Sequence, residues 1–182
     1  MTPHKMMASA ELVATFAHEA VGHKRKYTGD SYCTHLEEVA NLVSIAPSCT
    51  IEMIDAAWLH DVVEDTQVTH GMLHSYFGVE VAALVFELTD QFTDPSLGNR
   101  KKRKAMEMDR LAKCSSKAHT IKCADLIDNT KSIVEYDRDF AKVYLAEKRA
   151  ILDAIKGSAD HTLWSMAMAA LKDAETVLKR GI

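Results

Sequence analysis

Helix breakers are scarce in this chain: three prolines and seven glycines in 182 residues leave long helices uninterrupted. Alternating runs of Val, Ile and aromatic residues are scarce as well, with aromatics at 7% of the chain, and no segment reads as a strand ladder. CxxC pairs are missing. Cys33, Cys49, Cys114 and Cys123 lie far apart, a spacing expected of reduced, buried thiols in an intracellular protein rather than of a disulfide frame. Basic excess is missing too, and a net charge of −4 lacks the footprint of a nucleic-acid binder. No apolar stretch approaches a membrane span, and residues 1–8 lack the apolar core of a signal peptide, so the cytoplasm is the expected location.

Hydrophobic residues make up 47% of the chain, ample for a core at this length. One domain over 1–182 is expected, with 159–182 as a candidate added C-terminal helix. Helical spacing over 9–25 puts Leu12, Val13, Phe16 and Ala20 on one stripe. A turn over 26–31 precedes a second helix over 32–46, which Pro47 ends. Thr50 reads as the N-cap of a third helix running to about residue 64. Further helices are expected over 69–76, 79–89, 99–113, from Ser115 or Ser116 to 136, over 140–156 and over 160–180, with a loop at 94–98. The sum is an all-α bundle of about nine helices.

Against that apolar background the doublet His60-Asp61, at the end of a hydrophobic run, stands out, because ionisable groups are seldom buried without a charged or metal partner. His35 and Asp125 lie in comparable settings. Together the four offer a mixed nitrogen and oxygen shell suited to Mn²⁺, Fe²⁺, Co²⁺ or Zn²⁺. Four residues past the doublet come Glu64 and Asp65, one helical turn on. As a solvated helix end they would oppose the helix dipole together with Asp61, which argues for a nearby cation. Asp125 and Asn129 share a helical face, with Lys122 one turn earlier. His70 and His74 have metal-clamp spacing but also suit a polar helix face. His18, His23, His119 and His161 have no evident partner in the sequence. The basic run 99–104 suits a solvated face better than a nucleic-acid or polyphosphate patch.

The order of His35, then His60-Asp61, then Asp125 is the signature of the HD phosphohydrolase superfamily. Tyr27-Thr-Gly-Asp-Ser-Tyr-Cys-Thr-His35, Leu59-His-Asp-Val-Val-Glu-Asp-Thr66 and Lys122-Cys-Ala-Asp-Leu-Ile-Asp-Asn129 resemble the hydrolase domain of the RelA/SpoT family, above all its small stand-alone alarmone hydrolases. The resemblance runs from about Ala8 to about Ile155; where the family usually has Pro-Tyr and His-Pro, this chain has Ser31-Tyr32 and His35-Leu36. It implies an HD helical bundle with one divalent ion, Mn²⁺ in the family, on His35, His60, Asp61 and Asp125. It further implies that Glu64 and Asp65 position and activate water, and that Arg25, Lys26, Lys122, Asn129, Tyr144 and Lys148 contact a small-molecule nucleotide. Arg100 or Arg103 could reach a substrate phosphate. The implied reaction removes pyrophosphate from the 3′ position of a guanosine 3′,5′-polyphosphate. Two alternatives stay open: an HD phosphatase acting on another nucleotide, such as NADPH or a nucleoside polyphosphate, and a non-catalytic nucleotide-sensing HD module. No membrane or nucleic-acid partner is expected, and a homo-oligomer is left open.

Overall fold

A computed structural model describes residues 9–180; residues 1–8, read above for their lack of a signal-peptide core, lie outside the described residues. The described chain is helical, and its only β-pairing is an isolated bridge between Lys24 and Ser31 that pins the first loop. The helices are α1 (Ala10–Ala20), α2 (Cys33–Ser44), α3 (Ile51–Leu59), α4 (Val62–Asp65), α5 (His70–Phe77) and α6 (Val79–Leu88). They are followed by α7 (Arg100–Leu111), α8 (Ser116–Tyr136), α9 (Arg138–Ala154) and α10 (His161–Arg180), with a 3-10 turn at Pro95–Leu97. No helix is long and apolar enough to cross a membrane, among the described residues.

The organising element is α8. It starts where the Ser115 hydroxyl accepts from the Ala118 N–H, contains no glycine or proline, and packs against α10, α2 and α9. Its buried residues include Ile121, Ala124 and Ile133, and also His119 and Asp125. Thr50 and Thr69 cap α3 and α5 by accepting from Met53 and Met72 N–H groups. His119 has partners after all: its ring bonds Ser158 Oγ and the Leu111 carbonyl, both at 2.7 Å.

Three local expectations fail, each for a physical reason. The third helix does not run unbroken to residue 64. His60 Nδ1 donates to the Ala57 carbonyl at 2.7 Å, taking the acceptor that a continuing helix would offer to the next turn. The chain turns at Asp61 (φ −102°, ψ −3°) and restarts as the single turn α4, with the Glu64 and Asp65 N–H groups both bonding the Asp61 carbonyl. The doublet therefore stands on a corner. The second failure is the stripe on α1: Leu12 and Phe16 are 54% and 66% exposed, and the face turned inward is Ala10, Ala14 and His18. Small alanines let α1 approach α3 closely, an option that a count of large apolar residues overlooks.

The first helix also ends earlier than expected, at Ala20. Gly22 takes the left-handed conformation (φ +66°), its N–H bonds the Glu19 carbonyl, and the His23 N–H bonds the His18 carbonyl. This closure stacks the side chain of His23 against that of His18, with ring centroids 5.2 Å apart.

Candidate functional site

Three helical segments deliver the expected ligands to one point: α2 supplies His35, the α3–α4 corner supplies His60 and Asp61, and α8 supplies Asp125. His35 Nε2 lies 3.2 Å from His60 Nε2, and 3.6 Å from both Asp61 Oδ2 and Asp125 Oδ1. His60 Nε2 is 3.0 Å from Asp61 Oδ2. The tautomers test whether a metal fits. His35 Nδ1 faces a carboxylate oxygen, Asp128 Oδ2, at 2.7 Å, and His60 Nδ1 faces the Ala57 carbonyl. Each of those contacts needs the proton on Nδ1, which leaves two Nε2 lone pairs aimed at each other. Positive charge between them, either the proton of a His35 imidazolium or a metal ion, makes that arrangement favourable. His35, His60 and Asp61 bring their donor atoms within 4.8 Å of one another, a set that fits a divalent cation, and Asp125 Oδ1 stands beside them at 3.6 Å from His35 Nε2.

The electrostatics agree. Burial pulls His35 towards neutrality, but its bonds to Asp128 and Asp61 prevail and raise it to about 9. Asp125 is buried, which opposes its charge, yet Lys122 Nζ at 2.7 Å holds it down to about 2. Asp61 lies well below the carboxylate range despite its burial, held there by His60 and His35. The pocket floor is thus built to keep its carboxylates ionised and to hold positive charge. Asp128 orients His35 in the manner of a carboxylate–histidine–metal triad, and it also pairs with Arg25 Nη2 at 2.9 Å. Asp128→Asn is expected to weaken ion binding by roughly 10- to 100-fold, because the amide cannot enforce the same tautomer. Equilibrium dialysis of the metal against wild type and variant measures this; equal affinities would leave Asp128 a helix-tying residue only.

Above the cluster opens a cavity of about 640 Å³, of the size that takes a small-molecule ligand. Asp61, Glu64, Asp65 and Asp125 line one side, while Arg25, Lys26, Lys101, Lys104, Lys122 and Lys148 bring positive charge to the walls. Aromatic surface comes from Tyr27, Tyr32, Phe140 and Tyr144. Glu64 Oε1 accepts the Asp90 N–H at 2.8 Å; desolvation and then the Asp61 charge push this carboxyl up to about 7. Asp65 is raised by the same two causes, in the same order.

A profile for the HD domain matches residues 13–152, a span that holds His35, His60, Asp61 and Asp125. The chain belongs to the HD-domain family. HD-domain hydrolases are metal-dependent, and the His/Asp cluster here is fit to hold an ion. Among curated relatives the chain is similar to the Drosophila melanogaster guanosine-3′,5′-bis(diphosphate) 3′-pyrophosphohydrolase MESH1, with 29% identity over 160 residues, covering 82% of this chain and 87% of that one. The Xenopus tropicalis MESH1 is 33% identical over 134 residues, covering 70% and 73%. In three dimensions it resembles a metazoan orthologue of SpoT described as hydrolysing ppGpp, with a TM-score of 0.80 at 27% identity over 95% of this chain and 97% of that one. The Listeria monocytogenes protein lmo0812 shares the fold, with a TM-score of 0.64 at 23% identity over 78% and 99%.

Within this HD-domain site, several residues expected to face substrate are engaged with the protein. Arg25 Nη1 donates to Asn129 Oδ1 at 3.0 Å, and the Asn129 amide donates to Asp125 Oδ1. The two line the cavity and also brace the ligand helix. Lys26 stands 4.7 Å over the Tyr27 ring and Lys148 stands 4.8 Å over the Tyr144 ring. Burial and the charge of Lys122 lower Lys148 to about 8. The basic run is not only a solvated face. Lys101 and Lys104 line the cavity, Lys104 pairs with Asp90 at 2.6 Å, and Arg100 pairs with Glu147 at 2.8 Å, which seats α7 along the rim. His70 packs edge-on to Phe86 and, with His74, joins no metal-capable group among the described residues. Sequence reasoning missed Asp128, whose only signal is its place one turn after Asp125, and Tyr32, whose hydroxyl donates to Asp61 Oδ2 at 2.5 Å.

Proposed function

We propose that this chain is a metal-dependent guanosine 3′,5′-bis(diphosphate) 3′-pyrophosphohydrolase, with Mn²⁺ as the working ion. The observation that carries the reading is a single cavity joining an ion-ready His/Asp cluster, an elevated carboxyl at Glu64 and a wall of lysine and arginine side chains. Such a cavity suits a small polyanion whose phosphate is to be attacked by water. The named activity of the similar MESH1 proteins points to the same reaction. His35, His60, Asp61 and Asp125 would hold the ion, which would supply Lewis-acid stabilisation and lower the pKa of water there.

The chain's own residues do the rest. Glu64 takes a proton of the water that attacks the 3′ phosphorus; the bond from that phosphorus to the ribose 3′ oxygen breaks, and that oxygen takes up a proton, leaving pyrophosphate and GDP. Lys122, Lys148, Lys101 and Lys104 compensate the substrate's charge, while Tyr27, Phe140 and Tyr144 offer flat apolar surface for a base. Arg25 and Asn129 hold Asp125 and the His35–Asp128 pair in place. We read the chain as one catalytic unit with α10 as an added helix on α8 and α9, and as cytoplasmic in keeping with its free cysteines.

Product analysis under Mn²⁺ is the test, with guanosine tetraphosphate, other nucleoside polyphosphates and NADPH supplied in parallel. GDP and pyrophosphate from the tetraphosphate are expected. Orthophosphate from NADPH, with the tetraphosphate untouched, would move the function to another nucleotide phosphatase. Binding without any turnover across the panel would make the chain a sensing module.

A further inference from the structure

Next to the family's ion cluster lies a second group with metal-binding geometry that the reaction above does not use: His18, His23 and Asp65. His18 Nδ1 lies 3.0 Å from His23 Nδ1, and His23 Nδ1 lies 3.7 Å from Asp65 Oδ2. These separations repeat those of the first cluster, where neighbouring donors are 3.0 to 3.6 Å apart. Donors each about 2.1 Å from a common ion stand roughly 3 to 3.5 Å from one another. The helix-ending turn at Gly22 builds the pair, because it stacks the two imidazoles without help from distant chain.

The alternative, a buried imidazole kept for packing, accounts poorly for His18. The residue is fully buried, and its Nδ1 faces only the Nδ1 of a second imidazole. Buried polar groups are ordinarily satisfied, so a pair of facing imidazoles beside a carboxylate calls for a ligand. The site is also reachable. His23 and Asp65 are partly exposed, with side chains 27% and 35% accessible, and Asp65 lines the catalytic cavity. Tyr32 separates the two clusters: its ring stacks on His23 at 3.8 Å and on His18 at 5.0 Å, while its hydroxyl holds Asp61.

We propose that His18, His23 and Asp65 form a second divalent-metal site beside the HD centre. Two imidazoles and one carboxylate select a borderline transition-metal ion, Mn²⁺, Fe²⁺, Co²⁺ or Zn²⁺, and leave coordination positions open towards the cavity. What the ion does there rests on the phosphohydrolase reading; that it binds does not. Within that reading, Asp65 becomes a ligand, Glu64 remains as the proton acceptor, and a second cation meets the oxygens of a diphosphate from the Asp65 side.

The test is equilibrium dialysis of the full chain against Co²⁺, counting ions per chain by mass spectrometry. Wild type is expected to saturate at two ions, His60→Ala at one and His23→Ala at one. His23 is the residue to change because it sits partly exposed in a turn, whereas His18→Ala empties core volume; His23→Gln, with circular dichroism melting, guards against a folding defect. A wild-type plateau at one ion overturns the proposal, as does a folded His23→Ala or His23→Gln that binds as many ions as wild type. Loss of phosphohydrolase activity plays no part in the count, so failure of the functional reading leaves this result standing.

Discussion

His60→Ala and Asp125→Ala are expected to strip the HD-centre ion and to lower kcat by about 10³-fold or more, since the Lewis-acid contribution at stake is several kcal/mol. His60 supplies one of the two opposed Nε2 atoms, and Asp125 supplies the oxygen brought in by α8. The two variants differ in their cost to folding. Asp125→Ala leaves the Lys122 ammonium without its partner in a poorly solvated place, a loss on the order of 3 kcal/mol. His60→Ala empties buried volume and releases the Ala57 carbonyl but strands no buried ammonium, and it should melt closer to wild type. Asp125→Asn keeps the shape and separates the two effects. Metal analysis of the purified variants decides the assignment: full occupancy of the HD centre in either alanine variant would remove that residue from the ligand set.

Glu64→Gln carries the other large effect. The side chain keeps its size and its bond from the Asp90 N–H but can no longer accept a proton, so the rate should fall roughly 10²- to 10⁴-fold with ion binding intact. The pH profile gives an independent readout. Burial first, and then the Asp61 charge, raise Glu64 above the ordinary glutamate range. A base works only when deprotonated, so kcat/KM should drop as pH falls through that raised value, on a limb displaced towards neutrality. Part of the displacement disappears when an ion neutralises Asp61, but the desolvation share remains. Glu64→Gln should abolish the limb together with the rate. Near-normal turnover in both Glu64→Gln and Asp65→Asn would return these carboxylates to a solvated turn.

The candidate quartet is legible in the amino-acid order because its members sit in three short motifs, around His35, His60-Asp61 and Asp125. An ionisable residue inside an apolar helix is improbable without a partner, and three such motifs occur in order. Less legible is how the side chains are shared out. Arg25 and Asn129, 104 positions apart, hold each other as well as face the cavity. Asp128 reaches His35 across 93 positions, a pairing that no local pattern records. His18 and His23 look partnerless in the sequence because their common neighbour, Asp65, arrives from a different helix.

The sequence by itself determined the helical class, most of the helices, the caps at Thr50 and Ser115, the HD family and the candidate ligands for an ion. These rest on local causes: few helix breakers, periodic apolar residues, hydroxyl caps and compact motifs. Tertiary structure decided which face of α1 is buried, because close packing favoured Ala10, Ala14 and His18 over the larger Leu12 and Phe16. It also decided the corner at His60-Asp61, where a ring N–H competes with the backbone for one carbonyl, and so the direction in which Glu64 and Asp65 point. The contest between side chain and backbone for the same partner is settled only when neighbouring helices fix where each ring lies, and that information is spread over the whole chain.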